Sequence, residues 1–487
     1  MKNFTSRFRV FLLLAAGALA AGCSTTGPAP QTAARARSAG SGRGTLGIET
    51  APISRSARRK LGLAETAKGA LVVDVLPGGP GAAAAIRPGD LVEEVGGSRI
   101  ASECEFVDAA YNRALSPVRV VVVRAGARVE ADLTPVEQAP FFEELCGRGN
   151  AAACSRQAWA LGTSENVRER ALALYASACR LGLAPACADE GVRLFQWADR
   201  PKDTLAALAR ACTLGSGAGC AHEAFLYATG KIVKKDDRRA TNLYVRGCDL
   251  GDAKACYNVG LMADEGRGGP RNLKLAAARY EEACEGGSST ACTNLGFLYE
   301  NGRGVAKDAA RSAALYRRGC DGSSCQASNL NGCVNLGRAY RDGIGVAKDE
   351  SRSADLFREA CDRAVDPDDV GAAENGSRAC SLLGALFLDS EPRKALELSE
   401  LGCGRGDAFG CFNASAIYSA GSGVEASPVK ATSFLEKACR AGDGEGCFDL
   451  AIAYEKGTGV PADRGRASEA FKRACDLGFS KACGRKS

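Results

Sequence analysis

The chain has almost no histidine. His222 is the single one in 487 residues, which excludes a two-Cys, two-His zinc site and a three-His metal site and leaves little choice of base for a Ser-His-Asp triad. Net charge is nearly absent as well: 63 basic residues against 57 acidic leave +6, and Lys2, Arg7 and Arg9 carry half of that excess. A nucleic-acid binder needs a concentrated basic face, and a balance this even argues against one. No CxxC pair occurs, and no apolar run is long enough to span a bilayer as a permanent helix. What the chain has in quantity is cysteine, 23 residues of it. That many thiols suit either metal ligation or an oxidising compartment. The 46% hydrophobic and 25% charged content is that of a folded chain, and 487 residues exceed one ordinary domain.

Lys2, Arg7 and Arg9 precede an apolar run from Val10 to Ala21 that closes on small residues, so residues 1–22 read as a secretory signal. The stretch Leu19-Ala20-Ala21-Gly22-Cys23 resembles a bacterial lipoprotein signal, with Ala20 where that family prefers Leu. The resemblance implies cleavage before Cys23 and lipidation of its sulfur. Ser24, rather than Asp, resembles the pattern sorted to the outer membrane, which implies a lipoprotein facing the periplasm. An ordinary signal peptide with an incidental cysteine is the plainer alternative. Residues 23–43, rich in Ser, Thr, Ala, Gly and Pro, read as a flexible tether.

Residues 44–137 alternate short apolar strands with Gly/Pro turns. Ala70-Leu71-Val72-Val73-Asp74-Val75 is closed by Pro77-Gly78-Gly79, and Ile86-Arg87-Pro88-Gly89-Asp90-Leu91-Val92-Glu93-Glu94-Val95-Gly96-Gly97 reads as a turn, a strand and a turn. Cys104 to Ala114 has helical spacing, and Val118 to Val123 is a β-branched strand. This order, with the Ile86–Gly97 segment, resembles a PDZ domain of the Deg-type periplasmic proteases, with Ala85 where that family usually has Gly. The resemblance implies a groove in which a partner's C-terminus adds as a strand and a short loop holds its carboxylate. The matching loop is Thr45-Leu46-Gly47-Ile48, with Arg43 beside it, and Phe106, Val107 and Ala110 would line the apolar pocket. An ordinary strand start beside an unused groove is the alternative. The protease itself is missing, since no Gly-Asn-Ser-Gly segment occurs.

Beyond residue 140 the cysteines pair. Cys146 and Cys154, Cys179 and Cys187, Cys212 and Cys220, Cys248 and Cys256, Cys284 and Cys292, Cys403 and Cys411, Cys439 and Cys447, and Cys475 and Cys483 are all C-x7-C. Cys320 with Cys333 and Cys361 with Cys380 fit the same phase with insertions. Leaders recur at 33 or 36 residues outside the insertions, the mark of a repeat protein. Four residues after each second cysteine stands a small residue such as Gly260, Gly296 or Gly337, and three further on stands a large one such as Tyr299, Tyr340 or Tyr454. Both lie on one helix face, so a first helix carries a notch and a knob. A Gly-rich turn follows, and a second helix then places an aromatic residue or Leu four before the next cysteine, as at Tyr280, Tyr316 and Phe357. Nine such hairpins make residues 140–487 a solenoid.

Ala291 to Asp308, Ala-Cys-Thr-Asn-Leu-Gly-Phe-Leu-Tyr-Glu-Asn-Gly-Arg-Gly-Val-Ala-Lys-Asp, resembles the Sel-one-like repeats of the tetratricopeptide superfamily, and the C-x7-C spacing is similar to their secreted cysteine-rich branch. One cysteine ends a second helix and the other opens the next first helix, so the pairs are expected to be disulfides rather than metal ligands. Cys104 and Cys325 are left over, and Cys325 with Cys333 is itself C-x7-C; Tyr316 keeps Cys320 in phase.

The expected fold is thus multidomain: a small α+β PDZ-like module followed by an all-α, disulfide-clipped solenoid. Two residues after the opening cysteine come Asn258, Asn294, Asn335 and Asn413, with Asp449 in the last unit and His222 in the third. Two readings of this row stand: hydrogen bonding to an extended peptide, or bracing of the helix start. The expected function is a lipid-anchored scaffold for protein or peptide partners, without cofactor, metal, nucleic acid or catalysis. An adaptor for a periplasmic protease or cell-wall enzyme is an alternative. Some cysteine-rich members of the repeat branch are labelled β-lactamases, but Ser427-Pro428-Val429-Lys430 is a lone Ser-x-x-Lys with no Ser-Asp-Asn or Lys-Thr-Gly to accompany it.

Overall fold

The computed structural model describes residues 44–484 except 52, 54–57, 59–60, 64–66, 102–104, 107–108, 111–115, 199, 322–328 and 364–369. Cys23, Arg43, Cys104, Val107 and Cys325, with the signal and tether, lie outside the described residues. The chain divides into two compact units, residues 44–307 and residues 308–321 with 329–484.

The first unit opens on a sheet. β1 (Gly44–Thr45) pairs with β8 (Val136–Glu137), which brings the two ends of the module together. The main sheet holds β2 (Ile48–Ala51), β3 (Ala70–Val75), β4 (Leu91–Val95), β6 (Val118–Arg124) and β7 (Ala127–Leu133) in that antiparallel order, with β5 (Ser98–Arg99) hydrogen-bonded to β4. Ala125 and Gly126 both have positive φ, 48° and 82°, and form the two-residue turn that the right-handed twist of a β6–β7 hairpin favours. A short helix, α1 (Pro80–Ala83), follows β3. Ala85 holds φ 54°. Arg124 donates to its carbonyl at 2.8 Å and to the buried Asp90 carboxylate at 2.6 Å. Burial works to raise Asp90, but the Arg124 and Arg87 bonds outweigh it and hold the carboxyl below its ordinary range.

The module's core does not end with its last strand. α2 (Gln138–Gly147) and α3 (Ala151–Leu161) follow β8, and Phe142, Leu145 and Ala153 join Leu46, Ile48, Val72, Val92, Phe106 and Val120 in one buried cluster. Arg156 of α3 forms a half-buried ion pair with Glu49 of β2, its Nε donating to Oε1 at 2.7 Å. Sheet and first helices therefore share apolar burial and a charge pair.

Paired helices fill the rest of this unit: α4 (Arg168–Arg180), α5 (Ala184–Trp197), α6 (Pro201–Thr213), α7 (Gly217–Thr229), α8 (Asp237–Asp249), α9 (Ala253–Glu265), α10 (Leu273–Glu285) and α11 (Ser289–Asn301). The second unit holds α12 (Ala309–Asp321), α13 (Leu330–Asp342), α14 (Glu350–Arg363), α15 (Val370–Leu386), α16 (Pro392–Gly404), α17 (Ala408–Ala420), α18 (Pro428–Arg440), α19 (Gly444–Lys456) and α20 (Arg464–Asp476). Among the described residues no helix is long and apolar enough to cross a membrane.

All ten expected disulfides are present. In the first unit Cys146 is bonded to Cys154, Cys179 to Cys187, Cys212 to Cys220, Cys248 to Cys256 and Cys284 to Cys292. In the second, Cys320 is bonded to Cys333, Cys361 to Cys380, Cys403 to Cys411, Cys439 to Cys447 and Cys475 to Cys483. Their Cα atoms lie 4.4 to 4.9 Å apart. Eight of the bridges join the last turn of a second helix to the first turn of the next helix, so the turn between them is clipped at its base; Cys380 instead is the eleventh residue of α15, and Cys483 follows a short turn at Ser480–Ala482. The notch on the first helix is filled by the second helix's own large residue. A methyl group at Gly260 would stand 2.6 Å from Tyr280 Cδ1, at Gly337 2.6 Å from Phe357 Cε1, and at Gly191 2.5 Å from Leu208 Cγ.

Two further devices recur. Four residues before the second cysteine, Asn150, Ser216, Asp252, Ser288, Asn329, Asp407 and Asp443 cap the first helices by accepting the N–H three residues on. In the Gly-x-Gly turns the first glycine ends the helix in the left-handed region, as at Gly266, Gly343 and Gly457, where φ is 68–73°. The second lies against the start of the preceding second helix, Gly268 on Asp237 and Gly345 on Ala309 and Ala310. There a side chain has no room.

Candidate functional site

Thr45, Leu46, Gly47 and Ile48 are all buried, at about 1% exposure or less where side chains exist. The Leu46 and Gly47 carbonyls accept the amides of Gly81 and Leu76 at 2.8 Å, and the Gly47 amide donates to Thr45 Oγ1 at 3.2 Å. Phe141 of α2 lies across the loop, 3.8 Å from where a Gly47 side chain would begin and 3.1 Å from the corresponding point on Gly79. Phe106 and Ala110 are core residues. β2 stands at the edge of the sheet order and, among the described strands, pairs with β3 alone.

The row two residues after each opening cysteine extends beyond the asparagines. In the first unit it runs Arg156, Asp189, His222, Asn258, Asn294; in the second, Asn335, Leu382, Asn413, Asp449. Arg156 and Asp189 were missed by sequence reasoning, although the same spacing from Cys154 and Cys187 marks them. These side chains are half-buried on the first helices, apart from the buried Leu382 and Asn413. Several already hold internal partners. Asn258 Nδ2 donates to the Lys254 carbonyl at 2.9 Å, and Asn413 Nδ2 to the Ser381 carbonyl at 3.5 Å. The helix caps are made by other residues, those six positions earlier.

The row is electrostatically unusual where it is charged. Burial pushes Asp189 up to about 7, against the pull of Arg193 and then Arg156. Burial and the charge of Lys254 push His222 down to about 4. The two act on stability with opposite sign. Asp189 binds its proton more tightly in the folded chain than a free Asp does, so its contribution is lost as pH rises from about 4 to 7. His222 binds its proton less tightly than a free His, so its penalty is relieved as pH rises from about 4 to 6.5. Across that window the contributions of these two groups therefore largely offset each other. Asp189→Asn should uncover a rise between pH 4 and 6.5, read as the urea midpoint against pH; a profile unchanged from wild type would contradict these assignments.

Other chemistry is spoken for. Cys248, Cys256 and Glu282 are close enough to suggest a metal site, the single such cluster among the described residues, but the two sulfurs are bonded to each other. Ser427 Oγ caps α18 by accepting the Lys430 amide, and Lys430 Nζ lies 4.8 Å over the Tyr418 ring. The Ser-x-x-Lys is thus a cap followed by a cation–π contact.

The helical hairpins match the model of a known family. The Sel1 repeat matches residues 158–183, 219–252, 253–288, 289–324, 330–365, 408–443 and 444–479. This is a Sel1 repeat protein. The unmatched stretches 184–218 and 366–407 include α5/α6 and α15/α16, hairpins in which Pro201 and Pro392 replace the Gly-x-Gly turn. Among solved structures, a Sel1 repeat protein from Oxalobacter formigenes is 19% identical with TM-score 0.47, over 65% of this chain and 91% of that one. The Helicobacter pylori cysteine rich protein B is 33% identical with TM-score 0.25, over 28% of this chain and 98% of that one. The HtrA-type protease AlgW, solved with a decapeptide, is 28% identical with TM-score 0.19, over 20% of this chain and 29% of that one. No match to a curated protein was found. Sel1 repeat proteins are generally protein-interaction scaffolds.

Proposed function

We propose that this Sel1 repeat protein is a scaffold of the cell envelope, anchored through lipidated Cys23 at the outer membrane and facing the periplasm, that grips protein segments and performs no chemistry of its own. The observation that carries the reading is the row of half-buried polar side chains at one repeat position, Arg156, Asp189, His222, Asn258 and Asn294. An Asn amide offers two donors and an acceptor, so one internal bond leaves capacity for the backbone of an extended partner. The edge of β2 is a second place where a strand can add, as in a PDZ groove; Phe141 then lies beside the loop that would receive the carboxylate. Ten disulfides suit an oxidising, exported compartment, which agrees with the lipoprotein-like signal.

One experiment tests anchor and row together. Photo-crosslinking residues at positions 222 and 258 should capture the same partner in the membrane fraction, and one at the exposed Lys274 should not. Cys23→Ser should move the protein and its crosslinks to the soluble fraction. Equal capture from all three positions would remove the row from the proposal, and unchanged fractionation would remove the anchor.

A further inference from the structure

Three residues before the last cysteine of a second helix, the repeats place a residue that meets the tyrosine of the following first helix. At Tyr418 it is Glu400, which accepts the phenolic O–H at 2.9 Å, and at Tyr454 it is Glu436, at 2.7 Å. A cation from the next second helix completes each group: Lys430 over the Tyr418 ring at 4.8 Å, and Arg466 donating to the Tyr454 oxygen at 3.3 Å. Carboxylate, phenol and cation thus neutralise one another within the chain.

At Tyr340 the arrangement is the same but the carboxylate is replaced by Arg317. Its Nη2 donates to the Tyr340 oxygen at 2.8 Å, and Arg352 Nη1 donates to the same oxygen at 3.3 Å. Tyr340 buries its ring, while both arginines are exposed. Its phenolic proton has no carboxylate acceptor among the described residues, and Arg317 makes no ion pair among them. Asp349, 3.4 Å from Arg352 Nε, is the carboxylate paired with Arg352 among the described residues, and its counterpart Asp463 beside Arg466 is present at the Tyr454 site too, so it does not make up the difference. The exchange of Glu for Arg therefore shifts the local charge by two units. The phenol responds in kind: desolvation would raise it, yet the Arg352 and Arg317 bonds hold Tyr340 below the usual tyrosine range, whereas desolvation and the glutamates push Tyr418 and Tyr454 above it. Along the repeats this position otherwise holds Ala, Val or Glu, or a cation that faces no tyrosine: Arg358 precedes Phe387, and Lys472 precedes no further hairpin.

We propose that Arg317, Arg352 and the Tyr340 hydroxyl form a receptor for one external oxyanion, a carboxylate or a phosphate group, which takes the place of the glutamate that the sibling repeats supply internally. Three donors converge there: two guanidiniums suited to a planar or tetrahedral oxyanion, and one O–H free to turn toward it. The site stands independently of the polar row on the first helices.

Calorimetric titration of the oxidised full chain, with inorganic phosphate in one arm and an acetylated triglutamate peptide in the other, tests it. At low salt, one site with a dissociation constant of about 1 mM or tighter is expected for at least one probe, and the arm that binds names the source. Arg317→Glu, which restores the sibling arrangement, should weaken binding by at least ~10-fold without lowering the melting temperature, and Arg352→Gln should weaken it similarly. Glu436→Arg should build a second site and raise the stoichiometry from one to two. Binding by neither probe, or undiminished binding by folded Arg317→Glu and Arg352→Gln proteins, would overturn the receptor.

Discussion

Reduction of the disulfides is expected to unfold the helical array at 25 °C. Excess dithiothreitol should remove most of the far-UV helical signal and expose the chain to protease, with thiol titration confirming that the bridges have opened. Eight of the ten bridges join residues eight apart and so close short rings. On the chain-entropy account each stabilises by about 2.5 kcal/mol, and ten of them, taken as additive, reach roughly 25 kcal/mol. A folded domain is stable by only ~5–15 kcal/mol, and the five bridges of either unit, roughly 12 kcal/mol together, match that margin. The interior makes the dependence sharper. Many core positions of the hairpins are alanines, such as Ala178, Ala211, Ala255, Ala283, Ala360 and Ala438, and these bury less apolar area than leucines would. A fully reduced chain that kept its helical signal and melting temperature would show that packing alone holds the repeats.

The second large effect is expected at a glycine. Gly345→Ala should destabilise by more than ~3 kcal/mol, and Gly343→Ala, two residues away, by only about 1 kcal/mol. Both glycines occupy the left-handed region, with φ of 72° and 68° respectively. They differ in what a methyl group would meet. At Gly343 the nearest atom is Lys348 Cβ, 3.6 Å away, so the cost is conformational. At Gly345 the methyl would run into the Ala309 carbonyl and come within 2.8 Å of the Ala310 amide nitrogen. That is backbone, at the start of α12, and it cannot turn aside as a side chain can. Urea midpoints of the two variants measure the contrast; equal midpoints would mean that the turn does not depend on this close approach.

Much of the helical array is legible in the sequence because it is local. The C-x7-C spacing brings the cysteines of a short turn together with little choice of partner, and Tyr316, in phase with the other second helices, assigns Cys333 to Cys320, as the structure has it. The small residue at Gly260 and Gly337 signals a notch. Its occupant is less legible, because Tyr340 stands three residues from Gly337 on the same helix, whereas Phe357, which fills the notch, stands twenty residues away on the second helix. The caps stand at a fixed place, four residues before seven of the second cysteines, but the asparagines six positions later form a competing pattern of the same side-chain chemistry. The charged start of the row, Arg156 and Asp189, shares the spacing and not the residue type, so a pattern built on Asn does not reach it.

What the amino-acid sequence determined by itself was therefore the repeat, its phase, the disulfide pairing and the order of strand-rich and helical segments, each a consequence of spacing within a few dozen residues. The tertiary structure alone decided which side chains from separate elements meet: Phe142 and Leu145 in the core of the sheet, Phe141 across Gly47, Glu49 against Arg156, and Arg317 with Arg352 on one phenol. Glu49 and Arg156 are 107 residues apart. A contact at that separation depends on how sheet and helices pack, and packing sums many weak apolar terms with no short-range signature.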